Sequence, residues 1–314
     1  MIVALWTYRS TMDAMNLNVW EGVKHGIDIH NIYFQIWFFG TPIVWFLLLK
    51  VFRALDWWNF PTRKGTRTSD IMAFEFVAGI SVAYLGGAGL IISQGWFGTA
   101  AELARLNDDM LHTNSDFVIN HLVYPMVTFQ LWNVLLCLFT PDLNVPEMLG
   151  HHLVTAALGY FGMHPYLHGY GLFFFGVAAL TNVPLTVYDM FKYMKAAKWQ
   201  EKYSFIFTVS KLGFAASFVV LRIVVWPMIS YPFWKDSVAL LQSGKAHSNF
   251  VVGFFLLANV FLTFLQFFWG WKIVESVLPK GAAKTANKDK NDERSAVPTR
   301  SSPRIKRTPT KKTN

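Results

Sequence analysis

Phe250 to Val277 reads FVVGFFLLANVFLTFLQFFWGWKIVESV, and this stretch decides the fold. From Phe250 to Trp271 it carries no charge; the first is Lys272. About 20 apolar residues in a helix cross the roughly 30 Å hydrocarbon core of a bilayer. In hydrocarbon every backbone N–H and C=O must pair within its own segment, so such a run is a helix. Working outward, six further runs repeat the pattern: Ile32 to Phe52, Ile71 to Ile92, Phe117 to Phe139, Leu149 to Met163, Tyr166 to Met190 and Phe205 to Ile229. Leu149 to Met163 is the shortest, reaching about 22 Å; Pro165 ends it, and Gly159 and Gly162 loosen it. The expected fold is all-α, a polytopic membrane bundle of about seven transmembrane helices. Its expected parts are an N-terminal non-cytosolic segment (1–30), a first transmembrane helix with a basic linker (31–66), a six-helix membrane domain (67–278) and a basic tail (279–314).

Composition agrees. Hydrophobic residues make up 53% of the 314 and charged residues only 15%, against about 25% charged in soluble domains, which argues against an ordinary soluble enzyme. The formal net charge of +9 is concentrated: residues 279–314 hold 11 Lys and Arg against 3 Asp and Glu. The body is therefore nearly neutral, and a nucleic-acid partner is not expected. The tail lacks apolar periodicity and reads as disordered, with an anionic lipid surface as its partner. The one cysteine, Cys137, allows neither an internal disulfide nor a cysteine metal site. The first thirty residues lack the form of a cleavable signal peptide, and no phosphate-binding loop, dinucleotide fingerprint or serine-elbow motif is found.

Basic residues collect on the cytosolic side of membrane proteins. That rule puts the tail in the cytosol, together with the linkers carrying Arg53, Arg63, Lys64 and Arg67 and carrying Lys192, Lys195, Lys198 and Lys202. The linker with Glu102, Asp108, Asp109 and Asp116 then faces the other side. The final Lys311-Lys312-Thr313-Asn314 resembles the dilysine retrieval signal of endoplasmic reticulum membrane proteins, which implies that membrane as location and a retrieval coat as partner.

Polar groups within spans are costly and tend to face a bundle interior or a water path. At 1.5 Å per residue, His151 and His152 lie about 8 Å in from Pro146, Asn182 about 12 Å from Met190, and Lys211 about 12 Å from Tyr203. Gln130, Asn133, Glu75 and Gln266 fall in the same half, with Asp189 at the interface. Gln94, His121 and Arg222 fall in the far half. The expectation is a polar chamber in the cytosolic half, with Asn182, Lys211, Gln130, Asn133, Gln266 and Asp189 meeting a lipid or substrate. His151 and His152 are the catalytic candidates, since imidazole titrates near neutrality and serves as base or nucleophile. Glu147 stands four residues before His151, but no third ligand has motif spacing, so no metal is expected. His164 and His168, at the other end, read as interfacially hydrated. Gly86, Gly87, Ala88 and Gly89 read as a site of close helix approach, and Pro125, Pro184 and Pro227 as kinks.

Taken in order, His151-His152-Leu-Val-Thr155, Gly171, Asn182-Val-Pro184, Phe218-x-x-x-Arg222-x-x-x-Trp226-Pro227 and Leu265-Gln266-Phe-Phe-Trp269 resemble the TLC domain over about residues 67–278. That family includes ceramide synthases, translocation accessory proteins, a cargo receptor and regulators of lipid composition. In ceramide synthases the histidine pair leads, some thirty residues on, to His-Asp-x-x-Asp. Here Ala178, Ala179 and Asn182 occupy those positions, so only His151 and His152 carry over. The non-synthase branch often has Glu-x-Ser-x-Pro; Pro184 fits, while Leu180 and Asn182 replace the Glu and Ser, and an Asp common in the third span aligns with Thr128. The resemblance implies lipid handling without a cofactor. It leaves an acyl-CoA-dependent N-acyltransferase as the alternative, with acyl-CoA as co-substrate, and a cargo or translocation role as a third.

Overall fold

The structure is a computed structural model that describes residues 26–62, 64–194 and 198–277. The chain divides into two units, residues 1–270 and 271–314; of the second, only the last turns of the final helix are described. The tail with Lys311 and Lys312, and Arg63 and Lys195 of the linkers, lie outside the described residues.

Eight helices of eight residues or more are described: α1 (Ile32–Ala54), α2 (Thr68–Ser93), α3 (Ala100–Asp108), α4 (Asp116–Phe139), α5 (Pro146–Phe161), α6 (His168–Tyr193), α7 (Ser204–Gln242) and α8 (Asn249–Val277). Six of them, all but α3 and α5, are long and apolar enough to cross a membrane. The seventh expected span is α5, whose 16 residues reach about 24 Å. This is a multi-pass membrane protein, and no strand is present among the described residues.

Local chemistry sets the helix limits. Asn31 opens α1 by accepting hydrogen bonds from the backbone of Tyr33 and Phe34, and Ser115 opens α4 by accepting from Val118. Pro146 starts α5, where its missing N–H costs nothing, and Gly162 closes it ahead of Pro165. On α1, Ile36, Phe39, Ile43 and Leu47 are exposed at helical spacing, as suits a face whose solvent is hydrocarbon.

The first span pair of the core is α2 against α6. Gly89 and Gly176 bring the two backbones into direct contact: a Cβ on Gly89 would stand 2.5 Å from the Cα of Gly176. Gly86 faces Leu180 in the same crossing, whereas Gly87 faces open space. The small-residue run therefore works through two of its glycines.

Helix α7 is longer than its sequence suggests. The apolar run ends near Ile229, but the helix continues to Gln242, 39 residues in all. Pro227, Pro232, Lys235 and Asp236 lower the hydropathy of the second half, yet Phe233 and Leu240 are buried in the core. This half docks on α8 through polar pairs: Trp226 Nε1 donates to Thr263 Oγ1 (2.9 Å), Trp234 Nε1 to Asn259 Oδ1 (3.0 Å) and Asn259 Nδ2 to Ser230 Oγ (3.1 Å). Such interhelical bonds are worth about 0.6–2 kcal/mol each in a membrane. Asn259→Leu leaves the Trp234 and Ser230 groups unpaired, and is expected to lower stability by about 1–2 kcal/mol. Thermal unfolding in detergent reads this; an unchanged Tm contradicts it.

The non-cytosolic end predicted from charge is held by buried polar groups, and here one expectation is corrected. His164 and His168 are not hydrated: their exposures are 0% and 1%. His168 Nδ1 accepts from the backbone N–H of Ser115 (2.9 Å) and its Nε2 donates to the Gly162 carbonyl (3.0 Å), so the ring staples two loops. Tyr166 bonds Ser237 (2.7 Å) and Tyr170 donates to Asp236 (2.5 Å), tying the start of α6 and the loop before it to the second half of α7. Asp109 anchors the loop after α3. Burial raises its pKa, but bonds from His112 and from the Leu111 backbone outweigh this and hold the carboxyl below its ordinary value.

Candidate functional site

Proline shapes the interior. It lacks an N–H and crowds the turn before it, and each kink residue follows an irregular stretch. Ile119–Val123, ahead of Pro125, and Val219–Val225, ahead of Pro227, are wound as wider π turns. Ahead of Pro184, α6 passes from a π turn at Leu172–Gly176 into a tight 3-10 turn at Val177–Thr181. π turns inside α-helices are frequent at functional sites. Here two irregular stretches meet: Arg222, in the π turn of α7, donates from Nε to Thr181 Oγ1 (3.3 Å) at the end of the 3-10 turn of α6. The Thr181 hydroxyl in turn donates to the Ala178 carbonyl (3.0 Å). The Arg222 guanidinium also lies over the Trp226 ring, 5.7 Å from its centroid.

The histidine pair of α5 faces this junction. His151 is within electrostatic reach of Arg222. Its ring meets Trp269 of α8 edge-on, at 5.3 Å between centroids, and meets His152 at the same distance. His152 is 8% exposed, and its Nδ1 bonds Gln130 Oε1 of α4 at 2.5 Å. An amide oxygen only accepts, so this bond assigns the proton to Nδ1 and leaves Nε2 with a lone pair. The Gln130 amide nitrogen in turn rests on Met126 Sδ (3.3 Å). Adjacent residues on a helix point about 100° apart, which is why one histidine turns to α4 and the other to α8.

Three buried atoms here have no hydrogen-bond partner: His151 Nδ1 and both amide atoms of Gln266. Gln266 is 1% exposed and stands one turn before Trp269. Arg222 makes no ion pair among the described residues, and no group of three His, Cys, Asp or Glu side chains among them is placed to hold a metal.

The structure thus gathers His151, His152, Gln130, Trp269, Arg222 and Thr181, with Gln266 close by on the same helix as Trp269. Arg222 is a correction. The sequence reading places it in the far half, but α7 is so long that Arg222 falls near its midpoint and meets Thr181, next to Asn182. Asn182 is half-buried and accepts only a long bond from Thr181 (3.4 Å). Asn133 turns back on its own helix, donating to the Phe129 carbonyl (2.8 Å). Lys211 makes no hydrogen bond or ion pair among the described residues. Asp189 belongs elsewhere: it lies 3.7 Å from Lys192 Nζ and within electrostatic range of buried Glu75. Glu75 stands about 16 Å along α2 from Gly86, which faces Leu180 beside Thr181. The polar groups of the spans therefore form two clusters rather than one chamber.

Sequence reasoning did not single out Thr181 or Trp269 as site residues, and it misplaced Arg222. The available signal was proline: an arginine five residues before Pro227 and a threonine three before Pro184 mark helix turns prone to rewinding.

Among curated proteins and among solved structures nothing matches the chain. A protein-family comparison matches the TLC domain (TRAM/LAG1/CLN8) to residues 69–275, about two thirds of the sequence, from the first turn of α2 through most of α8. With the histidine pair of α5, the irregular turns of α6 and α7 and the Trp269 segment of α8 all inside that match, the chain belongs to the TLC-domain family.

Proposed function

We propose that this protein handles lipid: it binds a lipid between α4, α5, α6, α7 and α8, headgroup against Arg222 and the histidine pair, and so influences membrane lipid composition. One observation carries the reading. His151 Nδ1 and both amide atoms of Gln266 are buried polar atoms without a hydrogen-bond partner, each costing about 1–3 kcal/mol, and Arg222, bonded to Thr181, has no counter-ion among the described residues. A headgroup that accepts from Arg222 and bonds His151 and Gln266 offsets that cost, while its chains lie against Trp269 and the surrounding apolar residues. Location in the endoplasmic reticulum, with the C-terminus cytosolic and Lys311-Lys312 read by a retrieval coat, belongs to the same proposal and rests on the charge pattern and the tail sequence.

A second reading is favoured by a specific feature. His152 Nε2 keeps a lone pair in the assigned tautomer, and its neighbour His151 lies within electrostatic reach of Arg222, a cation able to stabilise a developing oxyanion. A base and a nearby cation are the minimum for acyl transfer from a thioester to a lipid amine.

Purified full-length protein, stripped of lipid and returned to mixed-lipid nanodiscs, separates the two. The lipid reading expects a selectively retained lipid and no N-acyl product when acyl-CoA and a long-chain base are supplied. Product formation that His152→Ala abolishes favours the transferase. Neither retained lipid nor product contradicts both.

A further inference from the structure

A second site lies outside the matched domain's helical interior, at the end of the protein that carries the basic linker. The last turns of α1, the linker, the start of α2, the end of α4 and the loop after it enclose a cleft of about 480 Å³, a size that suits a small ligand or a headgroup. Its floor is apolar, from Trp45, Leu49, Phe74 and Phe139. Phe139 is 79% exposed, so the cleft opens sideways, where a bilayer would be. Its rim carries Arg53, Lys64 and Arg67 against one acid, Asp70.

The rim is built rather than incidental. Arg53 is held by Asp70 through two bonds, at 3.2 and 2.8 Å. Lys64 Nζ bonds the Pro141 carbonyl (2.8 Å) and Thr62 Oγ1 bonds Asp142 (2.6 Å), which fastens the linker to the loop after α4. Arg67 makes no ion pair among the described residues, so the rim keeps an excess of positive charge. Two lining residues hold buried polar atoms with no partner, Trp45 Nε1 and Thr66 Oγ1, and a third such atom, Thr68 Oγ1, is next in the chain to Arg67. Indole Nε1 only donates and a hydroxyl can donate. Cations and spare donors above an apolar, laterally open floor match a phosphate carried on an acyl chain.

We propose that this cleft binds an anionic glycerophospholipid from the adjacent leaflet, phosphate at Lys64 and Arg67, glycerol esters near Trp45 and Thr66, and one chain over Phe74 and Phe139. The site is separate from the histidine cluster and stands or falls independently of it.

The test uses the full-length protein in nanodiscs of phosphatidylcholine, with or without phosphatidic acid, and native mass spectrometry to count retained lipid. The wild type should retain phosphatidic acid over phosphatidylcholine. Arg67→Gln, at an exposed side chain whose loss leaves the Lys64 bond to Pro141 in place, should lower retention several-fold, and Lys64→Gln with Arg67→Gln about tenfold or more. Leu136→Trp, which fills the cleft, should lower it with the rim charges intact. Lys198→Gln with Lys202→Gln, on the other basic linker, should leave it unchanged. Retention that falls equally with the Lys198 and Lys202 pair shows diffuse surface attraction and overturns the proposal. Displacement of the lipid by millimolar inorganic phosphate, with phosphate bound equally well alone, assigns the rim to a free anion and overturns it as well.

Discussion

Gly89→Ala should destabilise the membrane domain by about 3 kcal/mol, the upper end of what overpacking usually costs, and lower its folded yield accordingly. The added Cβ would stand 2.5 Å from Gly176 Cα and 2.7 Å from Val177 N. Both obstacles are backbone, so relief requires α2 and α6 to separate along their whole crossing. Gly86→Ala meets the flexible side chain of Leu180 first, at 2.5 Å, with the Leu180 backbone N at 3.1 Å, and should cost less. Gly87→Ala meets nothing within 4 Å and should be neutral or slightly stabilising, because alanine is the better helix former. The ordering Gly87, Gly86, Gly89 in rising cost, read as denaturation midpoints in detergent, is the expected result. Equal midpoints for all three contradict the packing described for α2 and α6.

Arg222→Leu should abolish retention of the lipid proposed at the histidine cluster, a loss of about a hundredfold or more, while leaving the protein folded. Removing one partner of a buried charged contact typically costs about 2–5 kcal/mol of binding. Stability should respond differently. An arginine inside a membrane helix carries a desolvation cost that its bond to Thr181 and its place over Trp226 only partly offset. Leucine removes the cost, so the lipid-free variant should be as stable as the wild type or more so. A large loss of Tm with lipid retention intact would make Arg222 a structural residue and contradict its role at the site. Arg222→Lys keeps the charge but not the planar set of donors, and should retain lipid weakly.

Much of this architecture is legible in the sequence because hydrocarbon is an unforgiving solvent. Uncharged runs such as Phe250 to Trp271 have no alternative to a helix, and all seven expected helices are present. Even the short α5 is foreshadowed by Pro146 and by Gly162 and Pro165 at its two ends. What hydropathy does not contain is the second half of α7. Lys235 and Asp236 read as the end of a span, yet Asp236 is satisfied by Tyr170 of α6, a pairing between residues far apart in the chain. His168 is likewise satisfied away from water, by the backbone of Ser115 and of Gly162.

The site was partly legible for a similar reason. His151, His152, Gln130 and Gln266 stand out as polar residues in apolar helices, and depth counted along straight helices places them together. Depth counting treats each helix as perpendicular to the membrane and as starting at its interface. That assumption fails for α7, whose length exceeds the hydrocarbon core, and it therefore displaced Arg222. It also merges groups of equal depth on opposite sides of a bundle, which is how Asp189 and Glu75 came to be counted with the histidines. Only the packing of α2 on α6 separates those two clusters.

The central claim is that a lipid occupies the space between the histidine pair of α5, the Arg222 turn of α7 and the Trp269 turn of α8. The most direct measurement is photolabelling of the full-length protein in nanodiscs by a phospholipid or sphingoid lipid bearing a photoreactive group near its headgroup, with the labelled peptides mapped by mass spectrometry. The account predicts label on the peptides that contain His151, His152 and Trp269, and loss of that label in Arg222→Leu while labelling of the exposed α1 face at Ile36 to Leu47 is unchanged. Label confined to lipid-facing surfaces such as that of α1, with the histidine and Trp269 peptides unmodified in the wild type, would contradict it.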